Sequence, residues 1–131
     1  MKHIHVAAAI FIENRKVFAA QRKDAGELAL KWEFPGGKLE TGESGEEAIV
    51  REIMEELSAT IEVEKHLMTV EHQYDSFSLS MDAYLCTVVD GDLKIGEHID
   101  CRWLSSQDLY SVDWAAADIP IVDTVARILG K

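Results

Sequence analysis

The sequence predicts a single domain, residues 1–131, of the α/β (α+β) class, in which helices pack on a mixed β-sheet. Three observations lead to this prediction. Apolar, β-branched runs of strand length occur in both halves of the chain, a capping-box signature opens a central helical segment, and a proline-marked apolar segment ends the chain. The length of 131 residues and the hydrophobic content of 47% suffice for one packed core but not for two ordinary domains.

The first elements are two strands joined by a tight turn. Residues 6–12 are almost continuously apolar, which predicts a strand that is buried on both faces. A second apolar run, 17–20, follows four polar residues, so we expect a hairpin turn at 13–16. The next segment, 23–38, is irregular and contains Pro-Gly-Gly, which predicts a loop with one short extended piece at 32–34.

The central segment is predicted to be a helix from Gly45 to Leu57. Ser44 and Glu47 have the spacing of a capping box, in which each side chain accepts a hydrogen bond from the other's backbone. At about 100° per residue, apolar side chains fall on one arc, expected to face the core, and acidic side chains on the opposite arc. The apolar arc comprises Ile49, Val50, Ile53, Met54 and Leu57, and the acidic arc comprises Glu52, Glu55 and Glu56.

Further strands and a second helix are predicted downstream. Residues 61–74, 77–89 and 99–104 alternate in polarity or are rich in β-branched side chains, which is typical of strands. Asp118 precedes Ile-Pro and an apolar pattern that continues to Leu129, so we expect a C-terminal helix capped by Asp118.

The composition limits the classes of partner. With 24 acidic and 13 basic residues, the formal net charge is -11, which disfavours a nucleic acid polymer as ligand. A free nucleotide is also anionic, so its binding would need a cation or a local basic patch. No apolar run is long enough for a membrane span and no export leader is evident, so we expect a cytoplasmic protein. Cys86 and Cys101 are expected to be reduced core residues, since they lack metal-site spacing.

The acidic arc of the helix suggests a metal site. Like charges three or four positions apart cost a helix about 0.2–0.5 kcal/mol per pair, and acids near its C-terminal end oppose the helix dipole. A bound cation would offset this repulsion, although a solvated acidic face accounts for the pattern equally well. Since the candidate ligands are carboxylate oxygens, the ion would be hard, Mg²⁺ first and Mn²⁺ second. The preceding Gly37 and Lys38 offer a carbonyl for the metal and an ammonium for phosphate.

Together these residues resemble the Nudix box. Gly37, Glu43 and residues 51–57 (REIMEEL) follow the pattern of a glycine, five residues, a glutamate, seven residues, and then Arg-Glu-aliphatic-any-Glu-Glu. Residues 32–38 (WEFPGGK) and 117–120 (ADIP) extend the similarity to the branch that contains MutT and the bacterial CTP pyrophosphohydrolases. One departure is Ser58, where the box normally has glycine. If this position must be left-handed, the serine costs about 1 kcal/mol.

The resemblance implies a Nudix-type αβα sandwich, with the mixed sheet between the box helix and the C-terminal helix. It also implies a set of metal ligands, Gly37, Glu52, Glu55, Glu56 and Glu97. By the same resemblance, Arg51 would orient the carboxylates and Glu43 would brace the loop against the helix. The implied reaction is attack of water within the phosphate chain of a nucleoside triphosphate, which yields a nucleoside monophosphate and pyrophosphate. Either Glu52 or Glu97 would be the general base.

The resemblance also implies a substrate pocket. Arg22 and Lys38 would contact phosphate, Phe34 would contact the base, Asp118 would hydrogen-bond its edge, and Trp32 could line the mouth. The alternative is that Phe34 is only a core residue and Asp118 only a helix cap. MutT has asparagine in place of Asp118, so oxidised purines such as 8-oxo-dGTP and pyrimidines such as CTP or modified dCTP both stay open. The expected role is sanitising of the nucleotide pool, by a monomer or a homodimer.

Three alternatives stay open at this point. Tyr74 lies near the position where dinucleoside polyphosphate hydrolases carry a tyrosine, although a strand tyrosine is most often a packing residue. A non-catalytic nucleotide-binding module is a second alternative, since a fold does not guarantee its usual reaction. An interaction domain with a merely acidic helix is the third, and it predicts no dependence on magnesium.

Overall fold

The computed structural model describes residues 2–93, 96 and 98–130. Within these residues, the chain forms seven strands and two α-helices. The strands are β1 (Lys2–Glu13), β2 (Lys16–Gln21), β3 (Trp32–Glu33), β4 (Gly36–Lys38), β5 (Thr60–Gln73), β6 (Phe77–Asp90) and β7 (Asp100–Leu104). The helices are α1 (Gly45–Leu57) and α2 (Ile119–Leu129), and a 3₁₀ turn, Ala116–Asp118, leads into α2.

The strands form one mixed sheet around β1. Its order is β3-β2-β1-β6-β5, while β4 pairs with β1 and β7 pairs with β2. Strands β1 and β6 run parallel, and the other pairs are antiparallel. The prediction of a mixed sheet is therefore confirmed.

Both faces of the sheet are covered, as the apolar run in β1 predicts. Ala7, Ala9 and Phe11 pack with the buried residues of α1, whereas Ala8 and Ile10 pack with those of α2. Side chains along a strand alternate between the two faces of a sheet, so one continuous apolar run supplies both cores. The two cores give the αβα sandwich that the resemblance implies.

The first hairpin is confirmed, whereas the glycine segment that follows differs from the expected loop. Asn14 and Arg15 connect β1 to β2 with φ angles of 51° and 63°, as a two-residue hairpin turn requires. Gly36–Lys38 forms a short strand on the edge of β1. A Cβ atom on Gly36 would lie 2.0 Å from the carbonyl oxygen of Ala7, so only glycine permits this pairing.

The boundaries of α1 are those that the sequence predicts. Ser44 Oγ accepts a hydrogen bond from the Glu47 backbone at 3.1 Å, and Glu47 Oε1 accepts one from the Ser44 backbone at 2.9 Å. At the other end, Ser58 is left-handed (φ 57°, ψ 33°), and its N–H donates to the Met54 carbonyl. The capping box and the left-handed conformation of Ser58 are both confirmed, and the cost of this conformation stays a prediction.

The assignment of faces on α1 was wrong in part. Val50 and Met54 are exposed, whereas Glu52 and Glu56 are half-buried on the side that faces the sheet. Glu56 follows Ile49 by seven residues, about two helical turns, so the two side chains lie on almost the same side of the helix. The inward face of α1 therefore carries both apolar side chains and carboxylates.

Two smaller predictions have mixed outcomes. Cys86 and Cys101 are both free thiols. Cys86 is a core residue, and burial raises the pKa of its thiol to about 12, but Cys101 is only half-buried. In the described ranges, neither helix has the length and apolar character that a membrane span requires.

Candidate active site

A cleft of about 450 Å³ opens beside β1, between α1 and the start of α2. One end contains the glycine strand β4 and the inward carboxylates of α1. The other end contains Phe34 and Asp118, and the side walls come from the loop after β2, from Tyr74 and from β6. The lining includes Arg22, Leu28, Glu33, Phe34, Gly37, Lys38, Glu52, Glu56, Tyr74, Phe77, Met81, His98 and Asp118. The structure thus brings residues of the Nudix-like box and residues of the two flanking segments into one cavity.

At the acidic end, Gly37 and Glu52 are in direct contact. A Cβ atom on Gly37 would lie 2.4 Å from Cδ of Glu52, so a larger residue would displace this carboxylate. Glu56 lines the same part of the cleft. Glu55 does not, because its side chain is 59% exposed and pairs with Arg51 at 3.2 Å. Two of the three box glutamates therefore face the cavity.

Arg51 connects acidic side chains of the loop before α1 with those of the second half of α1. Its Nε and Nη2 donate to the two oxygens of Glu43 at 2.8 and 2.9 Å, and Nη2 also donates to the Lys38 carbonyl at 3.0 Å. Its Nη1 donates to Glu52 at 2.9 Å and to Glu55 at 3.2 Å. Hydrogen bonds from Arg51 lower the pKa of Glu43 to about 2. Arg51 thus joins the β4 loop to the helix and fixes the carboxylate of Glu52.

The acidic end has the chemistry of a hard-metal site but is not a closed cage. The carboxylates of Glu52 and Glu56 supply only oxygen donors, which suit Mg²⁺ and Mn²⁺. In ranges 2–93 and 98–130 and at residue 96, no three His, Cys, Asp or Glu side chains are close enough to hold a metal ion together. Glu55 pairs with Arg51 and lies outside the cleft. Glu97, the other implied ligand, lies outside the described residues.

At the opposite end, Phe34 and Asp118 are both buried. The Phe34 ring packs on Trp114 with 4.8 Å between the ring centroids. Asp118 is 5% exposed, and its Oδ1 accepts a hydrogen bond from the Phe34 backbone at 3.1 Å. Burial, reinforced by the nearby charge of Glu33, raises the pKa of Asp118 well above its usual range. Burial therefore favours the protonated, neutral form of the Asp118 carboxyl.

The prediction that Asp118 caps α2 was wrong. Asp118 occupies the residue before Ile119, but its side chain makes no capping hydrogen bond to the helix. The 3₁₀ turn gives Asp118 a helical backbone (φ -81°, ψ -20°), whereas a capping side chain needs an extended one. The carboxyl turns into the cleft instead, toward Phe34.

The two cations implied for phosphate binding both line the cleft. Arg22 Nη1 donates to Glu33 Oε1 at 3.1 Å, and Lys38 is exposed on β4 beside the acidic end. In the described part of the chain, the buried Nε of Arg22 has no hydrogen-bond partner. Trp32 differs from its expected position at the mouth, since it lies in the core, with the Arg102 guanidinium 4.9 Å from its ring centre.

Glu33 and His98 are cleft residues to which sequence reasoning assigned no role. Glu33 accepts from Arg22 through one oxygen, and its other oxygen lies 2.9 Å from His98 Nε2. His98 is separated from Glu33 by 65 positions, so no local spacing indicates this pair. The only sequence signal was the position of Glu33 inside the WEFPGGK segment. Tyr74 also lines the cleft, and its hydroxyl accepts a hydrogen bond from the Ala117 backbone at 2.8 Å.

Comparison with known proteins identifies the family. Residues 6–124 match the family model described as the NUDIX domain. The chain belongs to the Nudix family. The match covers the sheet, the acidic helix and most of α2, so the Nudix resemblance of the sequence is confirmed.

Relatives of this Nudix chain span almost its whole length. The CTP pyrophosphohydrolase of Escherichia coli is 33% identical over 94% of this chain and 91% of its own length. The 8-oxo-dGTP diphosphatase of Escherichia coli is 30% identical over 98% of this chain and all of its own length. The solution structure of a MutT protein from methicillin-resistant Staphylococcus aureus has a TM-score of 0.79 and 38% identity, with 98% of this chain and 99% of that chain covered.

These similarities confirm three of the predictions. The chain is a Nudix hydrolase, and the αβα fold is that of the MutT-type Nudix proteins. Its relatives have names that denote cleavage of nucleoside triphosphates, which agrees with the predicted class of reaction. Nudix hydrolases generally depend on a divalent metal ion.

Proposed function

We propose that the protein is a Mg²⁺-dependent nucleoside triphosphate pyrophosphohydrolase that releases a nucleoside monophosphate and pyrophosphate. The observation that carries this proposal is the single cleft, in which the carboxylates of Glu52 and Glu56 lie at one end and Phe34 and Asp118 at the other. A nucleoside triphosphate that fills the cleft would place its base against Phe34 and Asp118 and its phosphates at the acidic end. A cation between the phosphates and the carboxylates would then offset their mutual repulsion. Because the net charge of -11 opposes binding of a polymer, we further propose that the substrates are free cytoplasmic nucleotides.

The arrangement of side chains at the acidic end supports a specific catalytic role for each of them. Mg²⁺, held by Glu52 and Glu56 with the Gly37 carbonyl, would neutralise the phosphates, align them and acidify the attacking water. Glu55 would join these ligands only after leaving its ion pair with Arg51. Glu52 is the proposed base, because Arg51 bonds its Oε1 and fixes the carboxylate against Gly37. Water attacks phosphorus, the phosphoanhydride P–O bond breaks, pyrophosphate leaves, and the water proton passes to Glu52.

Two cations support the placement of the phosphates. Lys38 lies beside Gly37 on β4, and Arg22 lies on the opposite wall with its Nε buried. A buried guanidinium N–H without an acceptor is costly, so a phosphate oxygen is a favourable partner for it. Glu33 holds Arg22 in this orientation at 3.1 Å.

The base end supports recognition through a neutral carboxyl. Oδ1 of Asp118 accepts from Phe34, so in the protonated form the other oxygen can donate a hydrogen bond to a base. A protonated aspartic acid thus offers the same donor and acceptor pair as the asparagine of MutT. This property fits both of the substrate classes that we propose, 8-oxo-dGTP-like purines and CTP or modified dCTP.

Pyrophosphate release from CTP and from 8-oxo-dGTP, with Mg²⁺ and with a chelator, tests the proposal. We expect turnover of at least one substrate, only with the metal. Glu52→Gln and Glu56→Gln should each lower turnover about 100-fold or more, the scale of a lost catalytic group. Glu46→Gln makes the same charge change on the exposed first turn of α1 and should leave turnover unchanged. Full turnover in both cleft variants would refute the assignment.

A further inference from the structure

The loop from Arg22 to Lys31 forms one wall of the cleft but has little core of its own. Its base is closed by two backbone hydrogen bonds, from Arg22 to the Lys31 carbonyl at 2.9 Å and from Leu30 to the Lys23 carbonyl at 3.3 Å. Most of its residues are exposed. A segment with few buried contacts has low local stability, so its position depends on the hydrogen bonds that connect its tip to the rest of the chain.

Glu27, at the tip of this loop, makes such a connection. Its carboxylate accepts hydrogen bonds from the backbone N–H groups of Asp75 at 3.0 Å and Ser76 at 3.2 Å, and from the Ser76 hydroxyl. Asp75 and Ser76 form the turn between β5 and β6. The Ser76 hydroxyl, together with the two backbone N–H groups, lowers the pKa of Glu27, so the carboxylate is ionised at neutral pH.

The two segments that Glu27 joins are facing walls of the cleft. Leu28 follows Glu27 and lines the cleft on the loop side. Tyr74 and Phe77 flank the turn and line the cleft on the sheet side, and Tyr74 is fixed by its bond with Ala117, next to Asp118. The carboxylate of Glu27 therefore determines how far apart these walls stand at the base end.

We propose that Glu27 is a positioning residue that sets the width of the base end and thereby the selectivity between purine and pyrimidine triphosphates. Glu27 does not touch the substrate and acts through Leu28 on one wall and Tyr74 on the other. The inference rests on the proposed function, since it assumes that a nucleoside triphosphate occupies the cleft. The hydrogen bonds of Glu27 described above go to Asp75 and Ser76 and not to the acidic end, so we expect kcat to be largely independent of this connection.

Steady-state kinetics of Glu27→Gln on CTP and 8-oxo-dGTP is the main test. Glutamine retains one acceptor oxygen but no charge, so the connection weakens. We expect KM to rise about tenfold, which corresponds to about 1.4 kcal/mol. The kcat should stay within about twofold and the selectivity ratio should change at least about threefold. Ser76→Ala should have a smaller effect in the same direction.

A control on the same loop separates this effect from a general change in charge. Asp24→Asn removes one negative charge from the loop tip, and Asp24 has no hydrogen-bond or ion-pair partner within the described ranges. We expect its KM values and selectivity ratio to equal those of the unsubstituted protein. A rise in KM for Asp24→Asn equal to that for Glu27→Gln would overturn the proposal.

Amide hydrogen exchange of Asp75 and Ser76, measured by NMR without nucleotide, tests the connection directly. Both amides should exchange at least about tenfold faster in Glu27→Gln. Unchanged exchange, or faster exchange with an unchanged KM and selectivity ratio, would overturn the proposal.

If the unsubstituted protein hydrolyses no triphosphate, the proposed function fails. Kd values for α,β-methylene analogues of the two triphosphates then decide whether Glu27 controls selectivity.

Discussion

Asp118 is a carboxylic acid in an environment that disfavours its charge. It is 5% exposed, its neighbours include Glu33, and the one described hydrogen bond of its side chain comes from the Phe34 backbone. Since burial raises the pKa of Asp118, the folded state holds the proton of this carboxyl to a higher pH than the unfolded chain does. The proposed role of Asp118 in base recognition therefore predicts that substrate binding depends on pH.

Substitutions at Asp118 test the neutral carboxyl. Asp118→Asn preserves a donor and an acceptor, so kcat/KM for the preferred triphosphate should stay within about fivefold. Asp118→Ala removes both and leaves the Phe34 N–H without its acceptor. A loss of about 1.4–2.8 kcal/mol, or roughly 10- to 100-fold in kcat/KM, is expected from steady-state assays. Equal losses in both variants would argue against a hydrogen-bonding role.

The pH dependence of kcat/KM and of the free energy of unfolding also tests the neutral carboxyl of Asp118. As pH rises through the raised pKa of Asp118, the carboxyl loses its donated hydrogen and gains a charge, so kcat/KM should fall. The free energy of unfolding should also fall over this range, because the folded state binds the proton more tightly than the unfolded chain. Asp118→Asn should remove both declines, as measured by kinetics and by urea unfolding at several pH values. A variant that keeps them would show that another group is responsible.

The residue types and the spacing of the Nudix box were enough to identify many of the residues that line the cleft. The sequence indicated Gly37, Glu52 and Glu56 through the box, and Phe34 and Asp118 through the flanking segments; the structure brings these five into one cleft. Their catalytic and binding roles stay predictions. The bond between Glu33 and His98 was not predictable, because it depends on where the loop before β7 meets β3.

At the scale of elements, the ends of α1 follow local rules. The capping box at Ser44 satisfies backbone N–H groups that a helix start leaves without partners, and Ser58 ends the helix in a left-handed conformation. Both depend on a few adjacent residues, which is why the sequence predicts them.

Ser58→Gly should stabilise the protein, because glycine adopts a left-handed conformation without the steric cost of a Cβ atom. We expect the free energy of unfolding to increase by about 1 kcal/mol and Tm to rise by about 3–5 °C, measured by denaturant and thermal unfolding. Ser44→Ala, at the other end of the same helix, should lower stability by about 1 kcal/mol. No gain from Ser58→Gly would mean that φ 57° is not costly for serine here.

The faces of α1 depend on more than its periodicity. Val50 and Met54 are apolar but exposed, while Glu52 and Glu56 are acidic but lie on the inward side. A helical-wheel projection based on polarity alone places the apolar and the acidic side chains on opposite faces. It does so because it assumes that the sheet covers only apolar residues. Strand β4 instead presents glycine to the helix, and this leaves space for the carboxylates.

For the whole molecule, stability comes from two cores separated by the sheet. Ile53 belongs to the core beneath α1 and Ile121 to the core beneath α2, and both are fully buried. Residues of β1 contribute to both cores in alternation. The cores therefore share a backbone but place their side chains on opposite faces.

Ile53→Val and Ile121→Val should destabilise the protein independently. Each removes one buried methylene, which costs about 0.5–1.5 kcal/mol. Because the sheet lies between the two sites, the double variant should show the sum of the single losses within about 0.5 kcal/mol, as measured by urea unfolding. A larger deviation would show that the two faces are coupled through β1.

The sequence by itself determined the positions of the helices and most strands, the box residues and the class of reaction. Periodicity, capping and box spacing are properties of short segments, so they can be read without knowledge of contacts. Only the tertiary structure decided that β4 pairs with β1, that Asp118 turns away from its helix, and that Glu27 joins two cleft walls. These features depend on which distant segments meet, and the register of the sheet, not any local pattern, fixes those meetings.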